Sequence, residues 1–406
     1  MTLRIVHVIA HPFLPAEDGG RLNSACTATA LARRGELHLV SLDDHHRSAG
    51  PAVPPWTLDL PWGGQGTFHG LVQVSGKRPF PRSPIGWWRA YRAGVRLPPE
   101  WMPYTSRHGE VFAEIARLKP DLVVADETML APFVAFAPAR WRIIHTHNHD
   151  SRLLAQGVFS KEDRGHQQRA ARRLDRFERA LFPKADQVWG VSDSDLAAFG
   201  ALGVADHRLF KVPNVVPDGC FMADPEPGPA GQAIFFGSMW YPPNRQALDR
   251  LLELWPRLRQ AVPDARLVVA GRGVPEGLAS KAARTPGVEL LGFVPDLQAL
   301  IQSSALAVIP LESGGGTKVK TIEALAAGIP ILATPVAVEG LGLVDGEHAV
   351  IRAVGDGFLE ALADMISAPE AWHDLARRGQ ALARQRFSME ALFKSVDQAL
   401  DRLLDE

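Results

Sequence analysis

The sequence predicts an α/β protein with two doubly wound parallel sheets in tandem. The first supporting observation is size, because 406 residues of which 46% are hydrophobic can bury large cores. The second is a rhythm of short β-branched apolar runs, each followed by a loop and mostly by a helix-period segment, which is typical of parallel strands joined by helices. The third is a break rich in proline and glycine at residues 212–231, which divides this rhythm into two halves.

The elements follow in order along the chain. The first half begins with an apolar run at Leu3–Ile9, a loop, and a helical segment at Arg21–Arg34 that Gly35 ends. Further strand-like runs of this half lie at 37–42, 121–125, 142–146 and 187–191, and those of the second half lie at 233–236, 266–270, 288–291, 306–309 and 329–333. The tail from Pro369 to Leu404 is mostly helical, with Pro369 at a first helical position and Gly379 as a break.

These patterns predict the domain boundaries. We expect an N-terminal domain at 1–212, with an irregular insertion at 43–110 where Pro, Gly and Trp replace the periodic pattern. A linker at 213–231 and a C-terminal domain at 232–385 follow, and a C-terminal helix at 386–406 could pack back on the first domain.

Charge and cysteine content exclude several classes of protein. Forty-four Lys and Arg against 45 Asp and Glu give a net charge of −1, which argues against a nucleic-acid partner. The two cysteines are too few for a disulfide scaffold or an iron–sulfur cluster, and they favour a reducing compartment. The longest apolar stretch, 324–338, is too short for a membrane helix and contains Pro330 and Pro335, and the N-terminal apolar run is too short for a signal peptide. We therefore expect a cytoplasmic protein.

The glycine-rich stretch 311–323 is the most informative part of the sequence. It follows a strand and opens a helix, so the backbone amides near Gly314–Gly316 and the positive end of the helix dipole can bind an anion, with Lys318 and Lys320 adding charge. A diphosphate is the natural ligand. Glu323, in the second helical turn, could accept two hydrogen bonds from a neighbouring ribose diol. The alternative is a glycine turn needed only for tight packing of the strand against the helix.

A second glycine loop precedes the first helix. Asp18, Gly19 and Gly20 lie where ligands of open parallel sheets gather, outside the carboxyl ends of the strands. A paired glycine at this place is about as often a plain turn as a phosphate-binding loop. Together, the two loops favour a nucleoside-diphosphate compound as the ligand.

The chain resembles the family 4 retaining glycosyltransferases of the GT-B fold, in which two Rossmann-like domains face each other across a cleft. It is most similar to the branch whose second domain starts with G-S-M-x-x-P-P-N. The motifs that carry the resemblance are Gly237–Asn244 (GSMWYPPN), Ala270–Gly273 (AGRG), Leu291–Asp296 (LGFVPD), Glu323–Pro330 (EALAAGIP), His147–Ser151 (HNHDS, similar to H-N-x-E-S), Ala185–Asp186 with Val191–Ser192, and Val212–Asn214 (VPN).

Two features depart from the family pattern. The family usually carries a glutamate eight positions before the one that binds ribose, but Gly315 stands at that place, so the sugar contact is expected from the backbone amides of Gly314 to Thr317. Ser238 and Pro243 occupy the places of the usual Arg and Lys, so the role of binding the diphosphate passes to Lys318 and Lys320.

The resemblance implies roles for individual residues. A retaining transfer of this kind needs no protein nucleophile, because the leaving diphosphate helps to deprotonate the acceptor, and the protein supplies positioning and charge. His147, Asp150 and Lys318 are the candidate catalytic residues, although Asp150 could equally orient an imidazole or cap the next helix. The candidate donor-binding residues are Gly19, Gly20, Gly237, Ser238, Arg272, Phe293, Val294, Gly314, Gly315, Gly316, Thr317, Lys318, Lys320 and Glu323.

Two motifs invite a metal interpretation. His145, His147 and His149 alternate, so they could converge on zinc if the strand continued through them, but the strand pattern ends near Thr146. Asp193-Ser194-Asp195 resembles a metal-binding D-x-D motif, but helix capping explains it better. We expect no metal and no other cofactor, with the nucleotide sugar as co-substrate.

A basic and aromatic stretch inside the insertion is the candidate acceptor surface. Residues 77–107 hold seven Lys and Arg against one Glu, interleaved with aromatic residues, and Trp87, Trp88 and Arg89 are the candidate acceptor-side residues. A lipid-linked or acidic acceptor, or peripheral contact with the inner face of a membrane, would explain this composition, and so would a solvated basic face over a small aromatic core.

The sequence therefore predicts a retaining, metal-independent glycosyltransferase of polysaccharide or glycolipid biosynthesis. Its expected partners are a nucleotide-sugar donor and a glycan, lipid-linked or small-molecule acceptor. The alternatives are a GT-B epimerase or hydrolase of sugar nucleotides and a non-catalytic GT-B-like binding subunit.

Overall fold

The structure is a computed structural model that describes residues 2–10, 13, 14, 16, 18–41, 56–70, 108–157, 164–223, 225 and 228–405. The chain divides into two compact units. Unit 1 comprises Met1–Pro213 and Leu392–Glu406, and unit 2 comprises Asn214–Ala391.

Unit 1 contains an eight-stranded sheet. Its strands are β1 (Leu3–Ile9), β2 (Gly35–Ser41), β3 (Trp56–Asp59), β4 (Gln65–Gly70), β5 (Leu122–Asp126), β6 (Trp141–His145), β7 (Gln187–Gly190) and β8 (Leu209–Lys211). Their order is β3-β4-β2-β1-β5-β6-β7-β8, and every neighbouring pair is parallel except β3 with β4. Strands β3 and β4 lie inside the stretch expected to be irregular, so that expectation is wrong for them. Residues 42–55 and 71–107, with Trp87, Trp88 and Arg89, lie outside the described residues.

The helices of unit 1 cover its parallel strands. In the described part of this unit they are α1 (Gly19–Ala32), α2 (His108–Leu118), α3 (Ala131–Ala135), α4 (Asp150–Ala155), α5 (Arg164–Leu181), α6 (Asp193–Ala201) and, from Leu392 onward, the terminal helix. The central strands are almost entirely apolar because helices bury both faces of a parallel sheet. Phe133, Phe177, Phe182 and Phe199 are all within 1% of full burial and belong to one core cluster with β5 and β6.

Unit 2 contains a six-stranded parallel sheet. Its strands are β9 (Gln232–Phe236), β10 (Arg266–Ala270), β11 (Val288–Gly292), β12 (Leu306–Ile309), β13 (Ile331–Ala333) and β14 (Val350–Ile351), in the order β11-β10-β9-β12-β13-β14. Its helices are α7 (Pro242–Ala261), α8 (Glu276–Ala283), α9 (Leu297–Gln302), α10 (Val319–Ala327), α11 (Asp356–Ser367) and α12 (His373–Phe387), and helix α13 (Met389–Leu404) follows and passes into unit 1.

The described part of the expected linker, 213–231, packs inside unit 2 apart from Pro213 itself. The amide of Met222 donates to Ala326 O at 3.3 Å, and that of Gly231 donates to Ile366 O at 2.8 Å. The prolines of this segment interrupt helices and strands, but they leave enough backbone donors to attach the segment to the neighbouring helices.

The C-terminal helix α13 is attached to unit 1 by polar contacts. Arg34 Nη1 lies 3.2 Å from Asp397 Oδ1, and Gln187 Nε2 donates to Ala399 O at 2.7 Å. None of the helices in the described ranges combines the length and the hydropathy needed to cross a bilayer.

Gly379 does not break the tail, because helix α12 continues through it. A Cβ at this position would lie 2.6 Å from His348 O and 2.9 Å from Leu325 Cδ2, so the glycine permits close packing rather than a turn. The expectation of a helix break is therefore wrong, since a glycine inside a helix can serve packing.

We predict that Gly379→Ala lowers the free energy of unfolding although alanine favours helices, because the new methyl group overpacks the contact with His348, at a cost of roughly 1–3 kcal/mol. The matched control is Gly277→Ala in helix α8, where the added Cβ meets nothing within 4 Å and should stabilise by about 0.4–1 kcal/mol. Urea denaturation of both variants measures the difference. Equal stability gains in the two variants would contradict the packing role.

Candidate functional site

A buried carboxylate organises the candidate site of unit 1. Asp126 is the last residue of β5, where the parallel register sets it beside His145 of β6, and it is 1% exposed. Its Oδ1 lies 3.0 Å from His145 Nδ1 and 2.9 Å from His147 Nε2, and its Oδ2 lies 3.7 Å from His7 Nε2. Three imidazoles thus surround one carboxylate.

The charges of this group are set by burial and by the short contacts. Burial raises the pKa of Asp126, but His147, His145 and His7 more than offset that effect and hold the pKa well below its usual range. Burial lowers the pKa of His147, yet the carboxylate of Asp126 raises it overall to about 9. Near neutral pH, His147 is therefore an imidazolium that donates from Nε2 to Asp126. Because Nε2–H donates to Asp126, the Nδ1–H of His147 can donate a hydrogen bond to another acceptor.

Glu127 follows Asp126 with a strained backbone. Its φ of +101° and ψ of 148° lie in a region that is nearly restricted to glycine, and its amide donates to His145 O at 2.8 Å. Burial raises the pKa of its carboxyl group to about 7. Backbone strain of this kind persists only where the surrounding structure enforces it, and it concentrates at functional sites.

The segment His147–Ser151 is held by a second buried acid. Glu178 of α5 is fully buried and accepts from the Ser151 amide at 3.1 Å, while its Oε2 lies 3.3 Å from His149 Nε2. Asp150 is the first residue of α4, and burial, with the nearby Glu178, raises its pKa to about 7. Asp150 therefore neither caps the helix, since His149 holds that position, nor orients His147, which is the role of Asp126.

The three alternating histidines do not converge on one point. His145 and His147 turn toward Asp126, whereas His149 turns toward Glu178, because β6 ends at His145 and the alternation stops there. Asp126, His145 and His147 each offer a ligand atom within 4.8 Å of the others, which is a spacing that could hold a cation. The ion pair and the hydrogen bonds among these groups account for the arrangement without one.

Asp193 and Asp195 lie in the first turn of α6, as the capping interpretation predicts. Ser192 is the N-cap and its hydroxyl accepts from the Asp195 amide, while Asp193 pairs with Lys211 at 2.9 Å. At the start of α1, the carboxylate of Asp18 likewise accepts from the Arg21 amide at 3.0 Å. Gly19 and Gly20 thus stand beside an acidic cap, and their donor-binding role stays a prediction.

In unit 2, the glycine-rich loop has positive φ angles at two of its glycines. Gly314 and Gly316 have φ values of +135° and +57°, which favour glycine, and helix α10 begins immediately afterwards with Lys318 as N-cap. Asn214 Nδ2 donates to Thr317 Oγ1 at 2.8 Å and fixes the end of the loop. The first amides of α10 have no acceptor within the helix, and free amides at a helix start can bind an anion.

The two lysines of the loop have different surroundings. Lys318 is 7% exposed, and its Nζ donates to Gly316 O at 2.7 Å and lies 3.5 Å from Glu339 Oε2. It therefore holds the loop together. Lys320 Nζ crosses to the carboxyl end of β9, where it donates to Phe236 O at 2.8 Å and to Asn244 Oδ1.

Burial raises the pKa of Glu323 to about 7, and it lowers the pKa of Lys320 to about 7. Lys320 lies three residues before Glu323 on the same helix, and each partly offsets the shift of the other. An anionic ligand would stabilise the charged form of this ammonium group, because a nearby opposite charge offsets the effect of burial on its pKa.

Gly237 joins the loop to the neighbouring strands. Its φ is +136°, and a Cβ there would lie 2.6 Å from Lys320 Nζ. A Cβ on Gly271 would lie 2.0 Å from Gly237 O, so β9 and β10 approach closely at this edge. Gly237, Gly271 and Lys320 are thus brought together. Gly314 lies beside Tyr241, because a Cβ there would be 3.3 Å from Tyr241 Oη.

Several exposed side chains, Arg272, Phe293 and Trp240, follow the strand ends of unit 2. The guanidinium carbon of Arg272 lies 3.8 Å from the centre of the Phe293 ring, which is 50% exposed. Ser238 accepts through its carbonyl from Asn244 Nδ2 at 2.7 Å, and Val294 is half-buried beside Phe293. Trp240 is 74% exposed and covers Gly273.

Sequence reasoning missed Asp126, Glu127, Glu178 and Asn244. Asp126 and Glu127 directly follow a predicted strand at 121–125, so their position at a carboxyl edge was a usable signal. Glu178 had no such signal, because a glutamate in an arginine-rich helix looks like a surface residue.

We predict that Asp126→Asn lowers the pKa of His147 from about 9 to its ordinary 6.5 or below, because burial is then no longer offset by the carboxylate. Titration of the histidine ring signals by NMR measures this change. Asp193→Asn, which removes an exposed carboxylate paired with Lys211, is the control and should leave His147 unchanged. A His147 that still titrates near 9 in the Asp126 variant would refute the ion pair.

Known proteins resemble this chain both in sequence and in fold. The family model described as glycosyl transferases group 1 matches residues 230–368. A phosphatidyl-myo-inositol mannosyltransferase of Mycobacterium leprae is 28% identical over 200 residues, which cover 47% of this chain and 52% of that protein. The chain thus spans about half the length of this curated relative.

Solved structures match nearly the whole chain. Sucrose-phosphate synthase from Thermosynechococcus elongatus has a TM-score of 0.70 at 17% identity and covers 99% of each chain. HepE of Anabaena, solved with UDP and glucose, has a TM-score of 0.67 at 17% identity, covering 98% of this chain and 99% of that one. WaaG, a glycosyltransferase involved in lipopolysaccharide biosynthesis, has a TM-score of 0.65 at 16% identity and covers 98% of each chain. Residues 230–368 are therefore similar to the glycosyl transferases of group 1, and the chain has the GT-B fold.

Proposed function

We propose that this protein is a retaining, metal-independent glycosyltransferase that moves a sugar from a nucleoside-diphosphate sugar to a hydroxyl group of a glycan, glycolipid or other small glycosylated molecule. The observation that carries the proposal is the glycine loop at the start of α10, with Lys320 and Glu323 on the following turns, within the residues that match the group 1 family model. Amides, one buried ammonium and one carboxylate are the groups that a diphosphate joined to a ribose requires.

The similar proteins support the classes of donor and acceptor. HepE was solved in complex with UDP-glucose, and the mycobacterial relatives are named for transfer to phosphatidyl-myo-inositol. A nucleotide sugar as donor and a lipid-linked or glycan acceptor are the corresponding proposals for this chain. Polysaccharide or glycolipid assembly in the cytoplasm is the setting that fits them.

The proposed mechanism uses charge and position rather than a protein nucleophile. The bond from the anomeric carbon to the diphosphate breaks while the acceptor oxygen bonds to the same face, and the acceptor proton passes to the departing phosphate oxygen. The first amides of α10 and the ammonium of Lys320 stabilise the charge that develops on the diphosphate. Lys318 holds the loop in the conformation that directs these amides.

His147 is the residue of unit 1 proposed to act on substrate. Because Asp126 keeps it charged and accepts from its Nε2, the Nδ1–H can donate to a hydroxyl of the donor sugar or the acceptor. Asp126 is then a positioning residue. Asp150 contributes a carboxyl group near the same imidazole, through charge rather than contact.

We predict that one of the nucleotides UDP, GDP, ADP and TDP raises the melting temperature of the purified protein, with no effect of EDTA. A nucleotide at 100 times its dissociation constant should stabilise by about 2.7 kcal/mol. Glu323→Gln should abolish most of this stabilisation. Glu312 is an exposed acid of the same loop that pairs with Arg250, and the control variant Glu312→Gln should retain the stabilisation. Stabilisation by none of the four nucleotides would contradict the donor site and favour a binding subunit without turnover. Loss of stabilisation in EDTA would contradict metal independence.

We also predict that nucleotide affinity is greatest near pH 7. Above that pH, Lys320 loses its proton, so the diphosphate loses an ion pair, and below it Glu323 gains a proton and accepts ribose hydroxyls less well. Calorimetric titration between pH 5.5 and 8.5 should show weaker binding on both sides. Lys320→Arg should flatten the alkaline side and Glu323→Gln the acid side. An unchanged profile in both variants would show that other groups control binding.

A further inference from the structure

Helix α5 carries a line of arginines on one face. Its 18 residues include six arginines and two acids, Asp175 and Glu178. Arg169, Arg172 and Arg176 are exposed and Arg173 is half-buried. At about 100° of rotation per residue, these four lie within an arc of about 100°.

Within the described ranges, the arginines of this face form no ion pair. The acid on the outer side of the helix, Asp175, pairs with Arg179 at 2.9 Å. Among the described residues, no acid pairs with Arg169, Arg172, Arg173 or Arg176. Because the whole chain has a net charge of −1, this concentration of positive charge is local.

The composition of the face indicates what it binds. Six residues fall on the arc, namely Gly165, Arg169, Arg172, Arg173, Arg176 and Ala180. It holds no large apolar or aromatic side chain, the kind of anchor that fills a pocket at the centre of many protein interfaces. The aromatic platforms that grip single-stranded nucleic acid are also missing from it. Guanidinium groups on a straight helix match an extended array of phosphates.

We propose that this arginine face of α5 binds the anionic phosphates of a membrane surface by electrostatic attraction, without inserting into the bilayer. The proposal does not depend on glycosyl transfer, because it concerns where the protein resides rather than what it catalyses. The opposite face of α5 is buried through Ala170, Leu174 and Phe177 and carries Glu178, which holds the segment His147–Ser151. A single rigid helix therefore connects the membrane-binding face to the candidate site of unit 1.

Co-sedimentation with vesicles tests this proposal on the full chain. Vesicles of phosphatidylcholine with phosphatidylglycerol are compared with vesicles of phosphatidylcholine alone, at about 0.1 M and about 0.5 M NaCl. We expect binding to the anionic vesicles at low salt, weakened at high salt, and no binding to the neutral ones. A basic residue near an anionic surface changes binding about fivefold, so four should change it by roughly a hundredfold or more.

Two variants with equal charge changes make the test specific. The test variant combines Arg169→Gln, Arg172→Gln, Arg173→Gln and Arg176→Gln. The control combines Arg250→Gln, Arg257→Gln, Arg266→Gln and Arg352→Gln, which removes four exposed arginines of unit 2 that are each paired with an acid. We expect the test variant to lose vesicle binding and the control to keep it, with circular dichroism melting curves showing that both are folded.

Three results would overturn the proposal. The first is equal binding of the test variant and the natural protein to anionic vesicles, and the second is equal binding to neutral and anionic vesicles. The third is binding to heparin or RNA that depends on these arginines, without binding to either type of vesicle, which would assign the face to a soluble polyanion.

Discussion

The arrangement of unit 1 depends on the burial of one carboxylate. Removing Asp126 from water is costly unless charges and donors replace the lost hydration, and the imidazoles of His145 and His147 provide that replacement at Oδ1. The parallel register brings His145 to Asp126, but His147 must turn back from the end of β6 to reach it. Glu127 directly follows Asp126 and has a strained backbone, so part of the stabilisation holds a conformation that a free chain avoids.

Unit 2 holds a partly buried ammonium group at its candidate site. Lys320 is surrounded by the carbonyl of Phe236 and the amide oxygen of Asn244, which are neutral dipoles rather than a contacting carboxylate. Neutral acceptors satisfy the donors but leave the charge only partly compensated, and its pKa falls accordingly. The groups of this site are in place without a ligand, and an anionic ligand would supply the negative charge that the ammonium of Lys320 lacks. The close approach at Gly237 follows from this, because any side chain there would displace the ammonium.

The features predicted correctly from the sequence are those that neighbouring residues in the chain determine. The glycine loop, its helix and the central strands of both sheets follow from residues that are adjacent in the chain, whereas β3, β4, β8 and β14 were not predicted. Gly314 and Gly316 adopt the conformations that only glycine allows easily. The partner of His147 did not follow, because Asp126 lies 21 residues away and only the pairing of β5 with β6 joins them. The sequence offered Asp150, three positions after His147, either as the carboxylate that orients an imidazole or as a helix cap. Gly379 was misjudged for a similar reason, since its contact with His348 comes from another part of the chain.

Helix α5 shows why overall charge is a poor guide to surfaces. A net charge of −1 argues against a field that surrounds the whole molecule, and yet it is compatible with four arginines on one arc, because the compensating acids lie elsewhere in the chain. Attraction between charges decays within about 8–10 Å at physiological salt, so a surface senses the nearby face rather than the sum. The buried Glu178 on the other side of the same helix fixes the segment that contains His147. Any force that orients α5 against an anionic surface therefore also orients that segment, and the position of the arginines becomes part of how the candidate site is presented to an acceptor.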